Sequence, residues 1–86
     1  MSDNELSIIE SLINLGLTNN EAKIYLYLVR NPNSNGYEIS KATGISRSLV
    51  YSGLEKIKVM DFIELSKTKT SSYLAKPVDE LGHSIT

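Results

Sequence analysis

Apolar side chains recur along this chain first at the spacing of a helix and then, after Met60, at the spacing of a strand. Near the start, Leu6, Ile8, Ile9, Leu12, Ile13 and Leu15 cover about half of a helix circumference, with Ser7, Glu10, Ser11 and Asn14 opposite. Ser2 or Asp3 can cap this helix, and Gly16 suits the position just past an end near residue 15. An arc of about 180° is wider than the ~100° stripe that one neighbour requires. The helix therefore either sits deep in the core or also packs on a second subunit.

Thr18-Asn19-Asn20-Glu21 is a capping box and opens a second helix reaching about residue 30. Ala22, Tyr25, Leu26 and Val29 lie on one of its faces and Ile24 and Leu28 on another, so little of it should meet water. Asn31-Pro32 ends it, because proline disfavours helical geometry in the residue before it. Asn35-Gly36-Tyr37-Glu38 repeats the capping-box pattern and starts a short helix ending at Gly44. Ile45 follows, then Ser46 as an N-cap, then a helix over about residues 47–59. Two short helices around a turn containing glycine predict a helix-turn-helix. Phe62-Ile63-Glu64-Leu65 and Ser72-Tyr73-Leu74-Ala75 then predict a β-hairpin with a polar, basic tip at residues 66–72. Residues 76–81 read as the start of a further helix, with Pro77 in its first turn and Asp79 and Glu80 favoured by the helix dipole. The order of elements predicts a mainly α chain with a small β-hairpin, a winged helix-turn-helix. We expect one domain over residues 1–86: an N-terminal helix at 1–16 with a candidate dimerisation face, the helix-turn-helix and wing at 17–76, and a helix start or linker at 77–86.

Composition narrows the chemistry. The chain has 86 residues, no cysteine and one histidine, His83. Disulfide frameworks, thiolate zinc sites, thiol catalysis and histidine metal clusters are thereby excluded. No apolar run approaches membrane-spanning length, and the acidic N-terminus does not read as a secretory signal. A chain this short buries only about 60–65% of its unfolded surface, which calls for a partner chain or a tight helical core. There is no nucleophile–base pair, phosphate-cradling glycine loop or metal-ligand spacing. Neither an enzyme nor a cofactor is expected, and no small-molecule effector site is evident.

The net charge of −1 conceals an asymmetry. Two basic side chains face five acidic ones before Lys41, seven face three from Lys41 to Lys76, and the tail adds Asp79 and Glu80. A basic segment is thus carried on an acidic scaffold, a hint of an anionic partner. On the helix from residue 47, Val50, Leu54 and Ile57 mark the core side. Arg47, Ser48, Tyr51, Ser52, Glu55 and Lys56 mark the other. A recognition helix places its N-terminal residues against base edges in the major groove. Arg47 suits a bidentate guanine contact, Ser46, Ser48 and Ser52 suit phosphates or bases, and Tyr51 suits a thymine methyl or a phosphate. Lys67, Thr68 and Lys69 at the wing tip suit the backbone or the minor groove, and Tyr37 suits a phosphate. A polar face is also what any amphipathic helix presents, and lysines also protect strand edges. Both elements in this order form the stronger signal.

Residues 15–81, about three quarters of the chain, resemble the DNA-binding domain of the TrmB-like transcriptional regulators. The resemblance rests on Leu15-Gly16-Leu17-Thr18, Glu21-Ala22-Lys23, Tyr25-Leu26, Glu38-Ile39, Gly44-Ile45-Ser46-Arg47-Ser48, Val50-Tyr51 and Leu54, with Tyr73, Ala75 and Pro77 at the wing exit. It implies a cytoplasmic homodimeric transcription factor on a pseudo-palindromic double-stranded operator, with Arg47, Ser48 and Tyr51 on the recognition helix. Two positions depart from the pattern. Asp61 stands where the family usually has glycine, and aspartate tolerates the left-handed region better than most residues. Leu49 replaces a commonly polar residue, which suggests extra burial or a further contact surface. Family members often continue into a ligand-sensing, frequently sugar-responsive domain. Sugar sensing is not carried over to a chain ending at Thr86, which is expected to be a truncated domain or a small stand-alone member. The alternative function, from the overall acidity and the wide apolar arc, is a winged-helix protein–protein module that does not bind DNA.

Overall fold

A computed structural model of the chain describes residues 3–76, with side chains described from Leu6 onward. Helix α1 (Asp3–Asn14) stops where Leu17 N–H donates to the Leu12 carbonyl at 3.1 Å and Gly16 N–H to that of Ile13 at 2.9 Å. This is a Schellman closure with glycine in the left-handed position, φ 108°. Both Thr18 and Glu21 then make the reciprocal capping bonds of α2 (Asn19–Arg30). As expected from Asn31-Pro32, α2 ends at Asn31, whose N–H donates to the Tyr27 carbonyl at 2.8 Å.

Ile24 and Leu28 of α2 are buried, and the core closes around them with Ile9 and Leu12 from α1, Ile39 from α3 (Gly36–Thr43), and Val50, Leu54 and Ile57 from α4 (Arg47–Val59). Tyr25 and Phe62 meet edge to face, centroids 5.8 Å apart. Phe62 also joins α4 to the sheet. Its N–H donates to the Ile57 carbonyl at 2.9 Å, while Asp61 N–H donates to the Lys58 carbonyl at 3.0 Å with Asp61 at φ 70°. Aspartate thus occupies the left-handed position of a second Schellman closure.

The strands lie close to their expected places, β2 at Ile63–Leu65 and β3 at Ser72–Ala75, antiparallel with Leu65 opposite Tyr73. Phe62 falls outside β2 because its N–H is committed to the helix closure, although its carbonyl still accepts from Lys76 N–H at 2.8 Å. The expected two-stranded hairpin is a three-stranded sheet of order β1-β3-β2, because Ser34–Asn35 forms a first strand, β1, against β3. No local pattern marks two polar residues as a strand. Their pairing with Tyr73 and Ser72 makes them one. The architecture is a winged helix: four helices that share one core, with a small three-stranded sheet.

Two burial expectations need adjustment. Helical spacing puts Val29 on the core face of α2, yet it is half exposed, because the last turn of α2 runs past the core beside Pro32 and Leu74. The apolar arc of α1 buries only its centre, Ile9 and Leu12, whereas Leu6, Ile8 and Ile13 on its flanks remain 46%, 42% and 38% exposed. One neighbouring helix, α2, covers one stripe. Of the predicted helix start at 76–81, residues 77 onward lie outside the described residues, as does Ser2.

Tyr25 Oη donates to the Lys76 carbonyl at 2.5 Å and fastens the end of β3 to α2. Burial pushes the Tyr25 phenol above its ordinary value, and a hydrogen bond to Asp61 raises Lys76. A raised folded pKa stabilises the fold fully below the unfolded value, about 10 for tyrosine, and that contribution fades as pH rises through the folded one. Tyr25→Phe should therefore cost about 1 kcal/mol at neutral pH by urea denaturation and make stability fall less steeply above pH ~10. An unchanged alkaline limb would show that Tyr25 contributes nothing to it.

Candidate nucleic-acid interface

The turn between α3 and α4 is held by its own side chains. Gly44 takes φ 76° and its N–H donates to the Ser40 carbonyl, while Ser40 Oγ donates across the turn to the Ile45 carbonyl at 2.6 Å. Thr43 Oγ1 donates to the Ile39 carbonyl and accepts from Ile45 N–H. Ile45 is buried and anchors the turn in the core, so that Ser46 emerges as the N-cap, its Oγ accepting from Leu49 N–H at 3.4 Å. The start of α4 is thereby fixed relative to α3.

The rotation of α4 about its own axis is set where it crosses α2. Gly53 faces Ile24, and a Cβ there would stand 2.9 Å from Ile24 Cδ1. Beside this contact, Lys56 Nζ pairs at 3.2 Å with Glu21 Oε1, a nearly buried carboxylate that also accepts from Thr18 N–H. With Val50, Gly53, Leu54 and Ile57 buried, the opposite face presents Arg47, Ser48, Leu49, Tyr51, Ser52 and Glu55 to solvent. The sequence pattern places five of these on the outer face and leaves Leu49 between burial and a further surface. Leu49 is exposed.

Three elements meet at the N-terminal end of this face. The Arg47 guanidinium carbon lies 4.7 Å from the centroid of the Tyr37 ring, in the first turn of α3. The Tyr51 ring lies over Gly36, where a Cβ would stand 2.4 Å from Tyr51 Cε1. From the wing, Lys69 Nζ approaches Glu38 Oε1 at 3.7 Å, while Glu38 also completes the cap of α3 with Asn35. Two cations, two aromatic rings and one carboxylate thus form one continuous surface. Ser46, Ser48, Ser52, Lys67 and Thr68 are exposed around it.

The wing tip is organised by a residue that the sequence did not single out. Ser66 Oγ donates to Asn33 Oδ1 at 2.6 Å and accepts from the N–H groups of Thr68 and Lys69 at 3.2 and 3.1 Å. Asn33 sits at φ 63° and its N–H donates to the Tyr73 carbonyl, so one asparagine ties the α2–α3 turn to the wing. A serine followed by two polar residues is a local turn signal. Its partner, 33 residues away, has no such signal. Among the described residues, no group of three His, Cys, Asp or Glu side chains could hold a metal, and no helix is long and apolar enough to cross a membrane.

An exposed helix after a glycine-containing turn, beside a basic wing, defines a winged helix-turn-helix fold. The profile of the TrmB family, described as sugar-specific transcriptional regulators, matches residues 12–79, and the chain belongs to that family. Over 81 residues it is 33% identical to the uncharacterized protein YrhO of Bacillus subtilis (strain 168), covering 94% of this chain and 28% of YrhO. The chain therefore spans about a quarter of that relative's length. No solved structure gives a significant match.

The contact between Arg47 and Tyr37 is open to direct measurement. A cycle of Arg47→Ala, Tyr37→Ala and the double variant, followed by urea denaturation, should give a coupling of about 0.5–1 kcal/mol, the range of exposed cation–π pairs. Strict additivity would mean that the two side chains do not stack in solution.

Proposed function

We infer from membership in a family of transcriptional regulators that this chain is the DNA-binding part of a regulator rather than an enzyme. We propose that it binds double-stranded DNA sequence-specifically, in the cytoplasm, with α4 in the major groove and the wing on the backbone or minor groove. The observation that carries this reading is the joining of the Arg47 end of α4 to the wing through the first turn of α3. Arg47, whose guanidinium lies over the Tyr37 ring, is thereby restrained and offers its fork to a guanine edge. Ser48 and Ser52 are short enough to let the helix approach the bases, while Ser46, Tyr51 and Tyr37 reach phosphates. Lys67, Thr68 and Lys69 supply contacts that fix register without reading sequence.

The uncovered flanks of α1 support homodimerisation through this helix, since Leu6, Ile8 and Ile13 leave apolar surface that α2 does not cover. A symmetric pair would present two α4 helices to half-sites about 34–36 Å apart, one helical turn of DNA. The proposal concerns this DNA-binding segment alone.

Selection of bound sequences from random duplex, followed by titration across a salt series, tests the reading. Arg47→Ala should cost about 1–3 kcal/mol on the selected site and relax specificity at one position of each half-site. Lys67→Ala should weaken all duplexes alike and lower the salt slope by about 0.9 for each phosphate left without its lysine. Glu38→Gln keeps the cap but frees Lys69 from its carboxylate, so affinity should rise a fewfold at low salt. Absence of duplex binding even at low salt would reject the proposal and favour a protein–protein module. Separately, replacing Leu6 and Ile13 together by Glu should raise the dimer dissociation constant roughly tenfold or more by sedimentation equilibrium. A wild-type chain that stays monomeric at high concentration would remove the dimer from the proposal.

A further inference from the structure

The outer face of α4 is hydroxylic and charged with two apolar exceptions, Leu49 and Val59, 53% and 81% exposed. They differ in position. Val59 closes the helix at its C-terminal end, about 15 Å from Leu49 along the axis. Leu49 lies in the first turn, where its N–H is bound by the Ser46 cap. Side chains on a helix lean towards its N-terminus, so Leu49 extends towards the N-terminal end of α4.

The neighbours of Leu49 say what kind of surface it fits. One turn before it stands Ser46 and one turn after it Ser52, both exposed, with Ser48 adjacent in sequence. Gly53, its other neighbour, is buried against α2 and adds no side chain. Tyr51 and Arg47 occupy the opposite flank, against α3. Along the N-terminal half of α4, Leu49 is therefore the one exposed aliphatic side chain, and its exposed near neighbours on the helix are hydroxylic. A protein-docking face concentrates apolar side chains around such an anchor. The floor of the major groove has the complementary pattern: hydrogen-bonding base edges interrupted by one kind of apolar group, the C5 methyl of thymine.

We propose that Leu49 is a specificity-determining residue that packs on a thymine methyl in each half-site, on the flank of α4 away from Arg47. The assignment rests on the reading above in which α4 enters the major groove. It adds to the polar contacts of that helix an aliphatic one that discriminates thymine from cytosine through the methyl group. Removing a buried methyl from such a contact weakens binding by about fourfold.

The experiment uses the full chain and duplexes selected from random sequence. Wild type should select thymine at one fixed position of the half-site, and uracil there, which lacks only the methyl, should weaken binding about fourfold. Leu49→Ala, at an exposed helix position where alanine is well tolerated, should bind the thymine and uracil duplexes equally. Val59→Ala, made as a control, should keep the wild-type difference. Selection without a fixed thymine, or equal thymine–uracil ratios in wild type and Leu49→Ala, would overturn the Leu49 assignment while DNA binding stands. Failure of wild type to hold any duplex at low salt would overturn the groove reading and this inference with it.

Discussion

The crossing of α4 over α2 governs the rest of the molecule. At Gly53 the two helices come close enough that a Cβ would press on Ile24, and just beside that contact Glu21 holds Lys56. The apolar contact sets how near the helices lie, burial of Val50, Leu54 and Ile57 sets how α4 is turned, and the ion pair is compatible with that rotation. A glycine inside a helix costs about 1 kcal/mol relative to alanine, and here the close packing offsets it. A carboxylate taken out of water is costly unless it is bonded on several sides. Glu21 meets that condition through both Lys56 and the Thr18 amide. Rotating α4 away from this arrangement would bury Ser48 or Ser52 and expose Val50 or Leu54, so the core and the outer face are set by the same contact.

A second set of polar bonds carries that geometry outward to the wing. Asn33 receives Ser66 and gives its N–H to Tyr73, while Ser34 Oγ donates to the Asn31 carbonyl. The buried hydroxyl of Ser72 is likewise bonded, to the Thr70 carbonyl. Short strands have little pairing of their own to hold them. Here the turn after α2 supplies the missing edge. The wing is thus braced against the start of α3, which is why Lys69 and Glu38 come together and why Arg47, Tyr37 and the wing lysines share a surface.

Much of this is legible in the chain because it is local. Both capping boxes, the serine cap of α4, the glycine at the helix-turn-helix and the left-handed Asp61 are decided within a few residues by steric and hydrogen-bonding preferences. Helical spacing also separates Val50, Leu54 and Ile57 from Arg47, Ser48 and Ser52. The candidate site residues can be read from their places along elements. Their mutual contacts cannot, because Tyr51 on Gly36, Arg47 on Tyr37 and Lys69 on Glu38 each join residues from different elements. Strand β1 escapes a local reading for the same reason, and Val29 is misplaced by it because helical spacing does not reveal where the core ends.

Near-neighbour interactions are thus enough to settle which segments are helices, where they start and stop, and which side of α4 is polar, and all of these are written in the order of the residues. That Ser34 and Asn35 form a strand, that Ser66 organises the wing tip and that Leu49 stays in solvent became fixed only once the chain had packed. Those outcomes depend on which distant surfaces meet, and burial, unlike a helix cap, is a property of the neighbours that folding brings together.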